Sequence, residues 1–97
     1  MSINTTPEKS SILFDILVER ERQDKKWGDQ SFQKDTVWST ILTEEVGEAA
    51  KEALEYEFGE LDVLKVHLDK LDKELVQVVA VGVAWLEAIR KRNANRL

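Results

Sequence analysis

The stretch TEEVGE at residues 43–48 places three carboxylates within five positions. On a helix, which turns about 100° per residue, Glu45 falls inside an apolar arc that also holds Ile41 and Val46, and Glu48 lies at the edge of that arc. Unpaired charges are costly to bury, and glutamates three positions apart on a helix repel each other. A cation between the two glutamates would remove both costs, so this pattern predicts a metal site.

A second stretch, ELVQVVAVGVAWLEAI, repeats the pattern of polar groups on an apolar helix face. Residues 75–89 are apolar on nearly every side, which predicts a helix that is buried all round. Glu74 shares the azimuth of Val78, and Gln77 lies one turn further on. Two helices that each turn oxygen ligands inward at i and i+3 can build a metal cage between them, as helical bundles do.

The sequence contains no cysteine and a single histidine, so the proposed cage is made of oxygen ligands. Such ligands suit hard divalent cations, Mg²⁺ first and Mn²⁺ as a substitute. Gln77 supplies an oxygen but no charge, and we leave open whether it is a direct ligand, an outer-shell group, or replaced by Glu52. His67 is expected to be an exposed helix residue away from both acidic groups.

The charge of the chain limits the classes of ligand. Its net charge is −5 and its pI is about 4.9, which argues against binding a nucleic-acid polymer because that needs a cationic surface. A single nucleotide held through a metal remains compatible with this charge. Because Mg²⁺ usually completes its shell with water and substrate phosphates, a carboxylate cage that is open on one side points to phosphate chemistry.

Three helical segments must position these groups, and no strand-like alternation is present. The first is predicted from a Thr6-Pro7 start to Trp27, where Gly28 stops it, because Thr caps helices and Pro suits the first turn. A polar loop is predicted at residues 28–35. A second helix follows over about 37–57, with Asp35 or Thr36 as its cap and Gly59 at its end. The third helix is predicted over about 61–91, and a break near His67 is an alternative.

These segments predict one all-α domain over residues 1–97, with frayed ends at 1–9 and 92–97. We expect an antiparallel bundle of three to four helices per chain, completed by a homodimer or homotetramer, because two or three helices hardly enclose one that is apolar on all sides. The longest apolar-rich run has 15 residues, fewer than the roughly 18 that span a bilayer, and the first residues do not resemble a signal peptide. We therefore expect a cytoplasmic protein without membrane contact.

The two acidic stretches resemble the MazG-like nucleoside triphosphate pyrophosphohydrolases, an all-α superfamily that also contains dimeric dUTPases and phosphoribosyl-ATP pyrophosphohydrolase. The family pattern is Glu-Glu-x-x-Glu on one helix and Glu-x-x-Asp on another. The first half is present as Glu44, Glu45 and Glu48. The second half is Glu74 followed by Gln77, where the family usually has Asp. This departure puts metal affinity, the number of ions, or activity itself in doubt.

The segment ERERQDKKWGDQ, residues 19–30, is similar to one that some members place before the metal helix, and the resemblance as a whole covers about residues 12–91. It implies that Trp27 and Gln30 help to hold the base, and that Lys26, or else Lys25 or Arg20, contacts phosphate. The implied reaction converts an NTP or dNTP and water into the monophosphate and pyrophosphate, in house-cleaning of the nucleotide pool. The implied roles are Mg²⁺ ligation by Glu45, Glu48 and Glu74, and proton acceptance by Glu44 or Glu48.

Each of these groups also has a structural interpretation. Trp27 would then be a core or interface aromatic, Arg20 would form an ion pair with Asp24, and the acids would form salt bridges in a non-catalytic helical oligomer or interaction module. Trp38 and Trp85 are expected in the core. Phosphoribosyl-ATP hydrolysis is a third interpretation, which shares the same cage.

Overall fold

The computed structural model describes residues 2–96, and over that range the chain is helical without any strand. This confirms the predicted all-α class. None of the helices in that range has an apolar stretch long enough to cross a membrane. The elements are α1 (Pro7–Trp27), α2 (Asp35–Phe58), a 3₁₀ turn (Leu61–Val63) and α3 (Leu64–Ala94).

Both ends of α1 follow the predicted signals. The Thr6 hydroxyl accepts a hydrogen bond from the Lys9 amide at 3.2 Å, and Pro7 occupies the first turn. At the other end Gly28 has a φ of 71°, a left-handed conformation that glycine adopts without steric cost, and its amide donates to the Asp24 carbonyl at 2.9 Å. The capping residues therefore fix the length of this helix.

The start of α2 differs from the prediction. The helix begins at Asp35, its N-cap is Lys34, and no side chain caps it. Asp35 does not act as the cap because its carboxylate accepts hydrogen bonds from Trp85 Nε1 at 2.9 Å and from Arg92 at 3.1 Å. A contact with α3 has therefore replaced the local cap that the sequence suggested.

The last helix has the predicted length but begins and ends about three residues later than predicted. Gly59, Glu60 and the 3₁₀ turn Leu61–Val63 separate α2 from α3, and α3 then runs through His67 without a break to Ala94. Residues 7–9 and 92–94, which we expected in frayed ends, lie within α1 and α3. Residues 1 and 97 lie outside the described range.

The three helices pack with α3 in the middle, and within the described range α1 and α2 each contact α3 rather than each other. Contacts Asp35 to Arg92 and Glu52 to His67 show that α2 runs antiparallel to α3. Lys91 binds Asp29 just beyond α1, so the carboxyl ends of α1 and α3 lie together and these two helices are parallel. This arrangement leaves a cleft between α1 and α2 that is floored by α3.

The core of the described chain is thin. Its buried apolar side chains are mostly small, and no large side chain is fully buried. Of the described α1 side chains only Ile16 is buried, so α1 is attached to α3 by little apolar surface. The buried set is Ile16, Trp38, Ala49, Ala80, Val81, Ala84 and Ala88.

We predict that Ile16→Ala destabilises the protein by about 2–5 kcal/mol, because it opens a cavity in the one buried contact of α1. The matched control is Ile12→Ala on the same helix, where the side chain is 53% exposed and the expected change is within about 0.5 kcal/mol. Urea denaturation at equal protein concentration measures both. Equal stability of the two variants would show that α1 is not held in this way.

Candidate metal centre and adjoining cleft

Three carboxylates meet where α2 packs against α3. Glu45 and Glu48 come from consecutive turns of α2, Glu74 comes from α3, and one oxygen of each lies within 4.8 Å of the other two. The convergence follows from the azimuths in the sequence, because Glu45 and Glu74 both point into the surface along which the helices pack. The structure thus brings together the three acids that the motif predicts as metal ligands.

The geometry of these oxygens fits a hard cation. Opposed ligands of Mg²⁺ are about 4.2 Å apart, so side chains within 4.8 Å of one another need only small rotamer changes to share an ion. One oxygen each of Glu45 and Glu74, the Oε2 atom, is buried and has no hydrogen-bond partner among residues 2–96. Buried carboxylate oxygens without donors are costly, and a divalent cation would satisfy both.

The electrostatics of the cluster also favour a bound cation. Burial raises the pKa of Glu45 above the usual glutamate value, and the charges of Glu48, Glu19 and Glu44 raise it further. Burial also raises the pKa of Glu74, and the charge of Glu48 and a hydrogen bond with that carboxylate add to the effect. Without a cation the cluster therefore favours retaining a proton.

Two acids outside this group, one on α2 and one on α1, also act on Glu45. Glu44 is exposed, lies outside the three-carboxylate group and affects Glu45 through its charge. Glu19 on α1 has a side chain that is only 13% exposed, and its hydrogen bonds to Arg22 at 2.6 and 2.8 Å lower its pKa, so it stays charged. The motif did not predict Glu19, although this residue begins the ERERQDKKWGDQ segment.

The structure corrects one expectation for His67, which is not exposed, although this residue lies outside the three-carboxylate group as predicted. Its side chain is 19% exposed, and Nδ1 lies 3.2 Å from an Oε2 of Glu52, which is 18% exposed. Glu52 lies one turn after Glu48 on the same side of α2, and its charge contributes to the raised pKa of Glu74. The uninterrupted α3 explains the error, since it places His67 two turns before Glu74 on the face that meets α2.

A cleft of about 450 Å³ adjoins the cluster between α1 and α2. The structure places in its lining all three residues that the resemblance nominated for the substrate, Lys26, Trp27 and Gln30, together with Glu45 and Gln77. Trp27 is 58% exposed, and the Lys26 ammonium lies 4.7 Å from its ring centre. The aromatic face and the cation of α1 therefore flank the same space as Glu45 of α2.

Two hydrogen-bond donors beside this cleft were not predicted. Trp38 is 6% exposed, which confirms its expected core position, but its indole Nε1 has no partner among the described residues. The side-chain nitrogen of Gln33 is also buried without a partner there, and both residues line the cleft. Trp85 is partly buried against the core and differs from Trp38 in that its Nε1 donates to Asp35.

Arg20 has a structural role in this arrangement. It forms the predicted ion pair with Asp24 at 2.9 Å, and it also forks onto both oxygens of Glu87 on α3 at 3.0 and 3.1 Å. Its side chain is only 12% exposed, and a further bond to Gln23 occupies its remaining terminal nitrogen. Lys25 pairs with Glu21 and does not line the cleft.

The fold and site thus define an all-α three-helix protein with a carboxylate cluster beside a cleft that is lined by Trp27 and by side chains of both charges. Comparisons with protein-family models, with curated proteins and with solved structures find no match to this chain. The resemblance to MazG-like enzymes therefore stays a prediction from the sequence motifs.

We predict that Glu74→Gln raises the melting temperature of the metal-free protein at pH 7 by several degrees. The folded state raises the pKa of Glu74, so the parent binds more protons when folded and loses stability as pH rises above the usual glutamate range. The variant should lose that part of the pH dependence. Differential scanning fluorimetry between pH 5 and 8 measures this, with Glu55→Gln on the exposed side of α2 as the control.

Mg²⁺ should reverse this order of stability, so that the parent becomes more stable than Glu74→Gln. At about 100 times its Kd the ion should stabilise the parent by about 2.7 kcal/mol, whereas Glu74→Gln should respond weakly because one ligand has lost its charge. A parent that gains nothing from Mg²⁺ or Mn²⁺ would show that the three carboxylates do not form a cation site.

Proposed function

We propose that this protein is a Mg²⁺-dependent nucleotide pyrophosphohydrolase that cleaves an NTP or dNTP to the monophosphate and pyrophosphate. The observation that carries the proposal is the convergence of Glu45, Glu48 and Glu74 with two buried and unpaired oxygens. The proposal places the enzyme in the cytoplasm as a homodimer or homotetramer that acts in nucleotide-pool house-cleaning.

The cleft supports a nucleotide as the ligand. Its volume of about 450 Å³ lies within the usual range of small-molecule sites. In the proposal Trp27 stacks on the base, Gln30 hydrogen-bonds to it and Lys26 contacts phosphate. The chain carries a net charge of −5, so cations held by the adjoining carboxylates would help it to bind a triphosphate.

The chemistry assigns separate tasks to the acids. Bound Mg²⁺ would neutralise phosphate charge and lower the pKa of a bound water. Glu45, Glu48 and Glu74 are the proposed ligands, with Gln77 as a neutral fourth group. The oxygen of water adds to the α-phosphorus, the bond to the pyrophosphate oxygen breaks, and Glu48 accepts the water's proton, since it is the exposed member of the cluster. Glu44, on the same turn, is the alternative acceptor.

We predict Mg²⁺-dependent release of pyrophosphate from at least one member of a panel of NTPs, dNTPs, modified nucleotides and phosphoribosyl-ATP. Glu45→Gln and Glu48→Gln should each lower kcat/KM by about 100-fold or more, because each removes a ligand or the proton acceptor. Glu55→Gln is the control and should retain parental activity. The panel also distinguishes phosphoribosyl-ATP hydrolysis from hydrolysis of the other nucleotides. If no member of the panel is hydrolysed, the enzyme proposal is wrong.

We predict that Gln77→Asp lowers the Mg²⁺ concentration needed for half-maximal stabilisation, because the change adds a charged ligand beside Glu45. Thermal melts across a Mg²⁺ titration measure this without depending on turnover. An unchanged titration midpoint would place Gln77 outside the coordination shell.

A non-catalytic helical oligomer is the second candidate. The large exposed apolar surface of all three helices favours it, as does the neutral Gln77 at a position where the resembling enzymes carry Asp. In that case the acids would be structural, and Glu45→Gln would change stability without any pyrophosphate release by the parent.

A further inference from the structure

Two hydrogen-bond donors in the lining of the cleft have no partner among residues 2–96, and the proposed reaction does not use them. They are Nε1 of Trp38 and the side-chain nitrogen of Gln33, and both atoms are buried. Trp38 as a whole is only 6% exposed. Because folded proteins pair nearly all of their buried donors, unpaired donors in the lining of a cleft indicate that a ligand supplies the missing acceptor.

A second tryptophan shows how this fold satisfies a covered indole N–H elsewhere. Trp85 is partly buried against the same core as Trp38, and its Nε1 donates to Asp35 at 2.9 Å. Trp85 lines neither the cleft nor a neighbouring cavity of about 350 Å³, whereas Trp38 lines both. Of these two indoles, the unpaired one is therefore the one that borders space for a ligand.

Trp38 lies at the end of the cleft that is remote from the carboxylates. It precedes Glu45 by seven residues, which is about two turns of α2 and about 10 Å along the helix axis. Gly28 and Gln30, just beyond α1, line the cleft and the neighbouring cavity together with Trp38. Because the proposed phosphates lie beside Glu45, the nucleoside part of the same ligand extends towards Trp38.

The unpaired donors are neutral, which suits a base better than a phosphate. The two arginines of the cleft lining already form ion pairs, Arg20 with Asp24 and Arg22 with Glu19. Phosphate oxygens form their strongest hydrogen bonds with charged donors of this kind. A neutral indole and a neutral amide suit a neutral acceptor, such as the carbonyl oxygen of a base.

The bases differ in the group that two such donors would contact. Guanine, hypoxanthine, thymine and uracil carry a carbonyl oxygen at the position where adenine and cytosine carry an amino group. A carbonyl oxygen has two lone pairs and can accept from both nitrogens, whereas an amino group presents hydrogens of its own. Two buried donors therefore favour a base that carries a carbonyl group at this position.

We propose that Nε1 of Trp38 and the amide of Gln33 bind the base of the substrate and select nucleotides with a carbonyl-bearing base, such as dITP and dUTP. This selectivity rests on the proposed pyrophosphohydrolase activity, whose substrate class it specifies. Trp38 belongs to the core cluster, so its donor has a fixed position. Gln33 lies in the loop between α1 and α2, so its side chain can adjust to the ligand.

The first test compares two matched pairs of substrates, dITP with dATP and dUTP with dCTP, in the presence of Mg²⁺. The members of a pair differ in one carbonyl or amino group and in the protonation of the adjoining ring nitrogen. For at least one pair, the parent should release pyrophosphate from the carbonyl member with a kcat/KM at least about 10-fold higher, because the amino member would leave both donors unpaired.

Three variants show whether these two side chains cause the preference. Trp38→Phe keeps an aromatic ring in the core and removes the N–H, and Gln33→Leu removes the amide from the loop. Each should lower the preference by about 5-fold or more, mainly through a lower kcat/KM for the carbonyl member. The matched control is Trp85→Phe, which removes an indole N–H that already donates to Asp35 and should keep the parental preference.

The kinetic results separate this inference from the proposed activity. A parent that hydrolyses both members of each pair equally well, or prefers the amino members, would overturn the inference while the enzyme proposal stands. A folded Trp38→Phe or Gln33→Leu that keeps the parental preference would also overturn it.

A second measurement depends neither on turnover nor on the folding of Trp38→Phe. The chain has three tryptophans, so the ¹⁵N-labelled parent gives three indole N–H resonances, and Trp27→Phe and Trp85→Phe assign that of Trp38 by elimination. The ligands are the α,β-imido analogues of the four triphosphates with Mg²⁺, since these resist cleavage at the α-phosphorus. A carbonyl-bearing analogue should move the Trp38 resonance downfield, because the N–H gains an acceptor, and its amino counterpart should move it less.

This measurement also has a result that overturns the inference whether or not pyrophosphate is released. That result is a Trp38 resonance that no analogue moves, or that both members of each pair move equally. A selective shift without pyrophosphate release from any nucleotide would support the binding role of Trp38 and defeat the enzyme proposal alone.

Discussion

The antiparallel packing of α2 against α3 is the contact on which the rest of the structure depends, and it forces like charges together at its centre. Glu45, Glu48 and Glu74 meet there and repel each other, and burial disfavours their charged forms further. Alanines at the helix contact allow the two helices to approach closely. Polar contacts hold the two ends of this helix pair: Arg92 and Trp85 donate to Asp35 at one end, and His67 pairs with Glu52 at the other. A contact that is attractive at its ends and repulsive at its centre is suited to receive a cation at the centre.

Local patterns in the sequence predicted those parts of the structure that depend on one helix at a time. The caps of α1, the all-α class and the inward azimuths of Glu45 and Glu74 each follow from residues within a few turns. The parts that were missed depend on how helices meet. Asp35 is not a cap because α3 supplies it with donors, and His67 is covered because α3 continues without a break. Glu19 joins the acids only through the placement of α1, which no periodicity encodes.

The placement of α1 rests on polar contacts more than on apolar ones, and this matters because α1 carries one wall of the cleft. Ile16 is its one buried side chain, whereas Arg20 forks onto Glu87 with its own side chain nearly buried. Beyond the helix, bonds from Ser31 lower the pKa of Asp29 to about 2, so this carboxylate stays charged and also binds Lys91. Exposed ion pairs contribute little each, so these contacts fix the orientation of α1 more than its affinity for α3. A wall held in this way can adjust to a ligand without disturbing the α2–α3 contact.

The same charges give a physical reason for Gln77 at the position where the resembling enzymes carry Asp. Glu19 from α1, and Glu44 and Glu52 from α2, also raise the pKa of members of the cluster, so six carboxylates already act on one small volume. A further acid at position 77 would add to the repulsion that the metal-free helices must withstand. The neutral amide keeps an oxygen beside Glu45 at no electrostatic cost. A cation at this cluster would then draw its negative charge from a wider ring of acids than the motif alone contains, and a neutral side chain at position 77 adds no further charge to that ring.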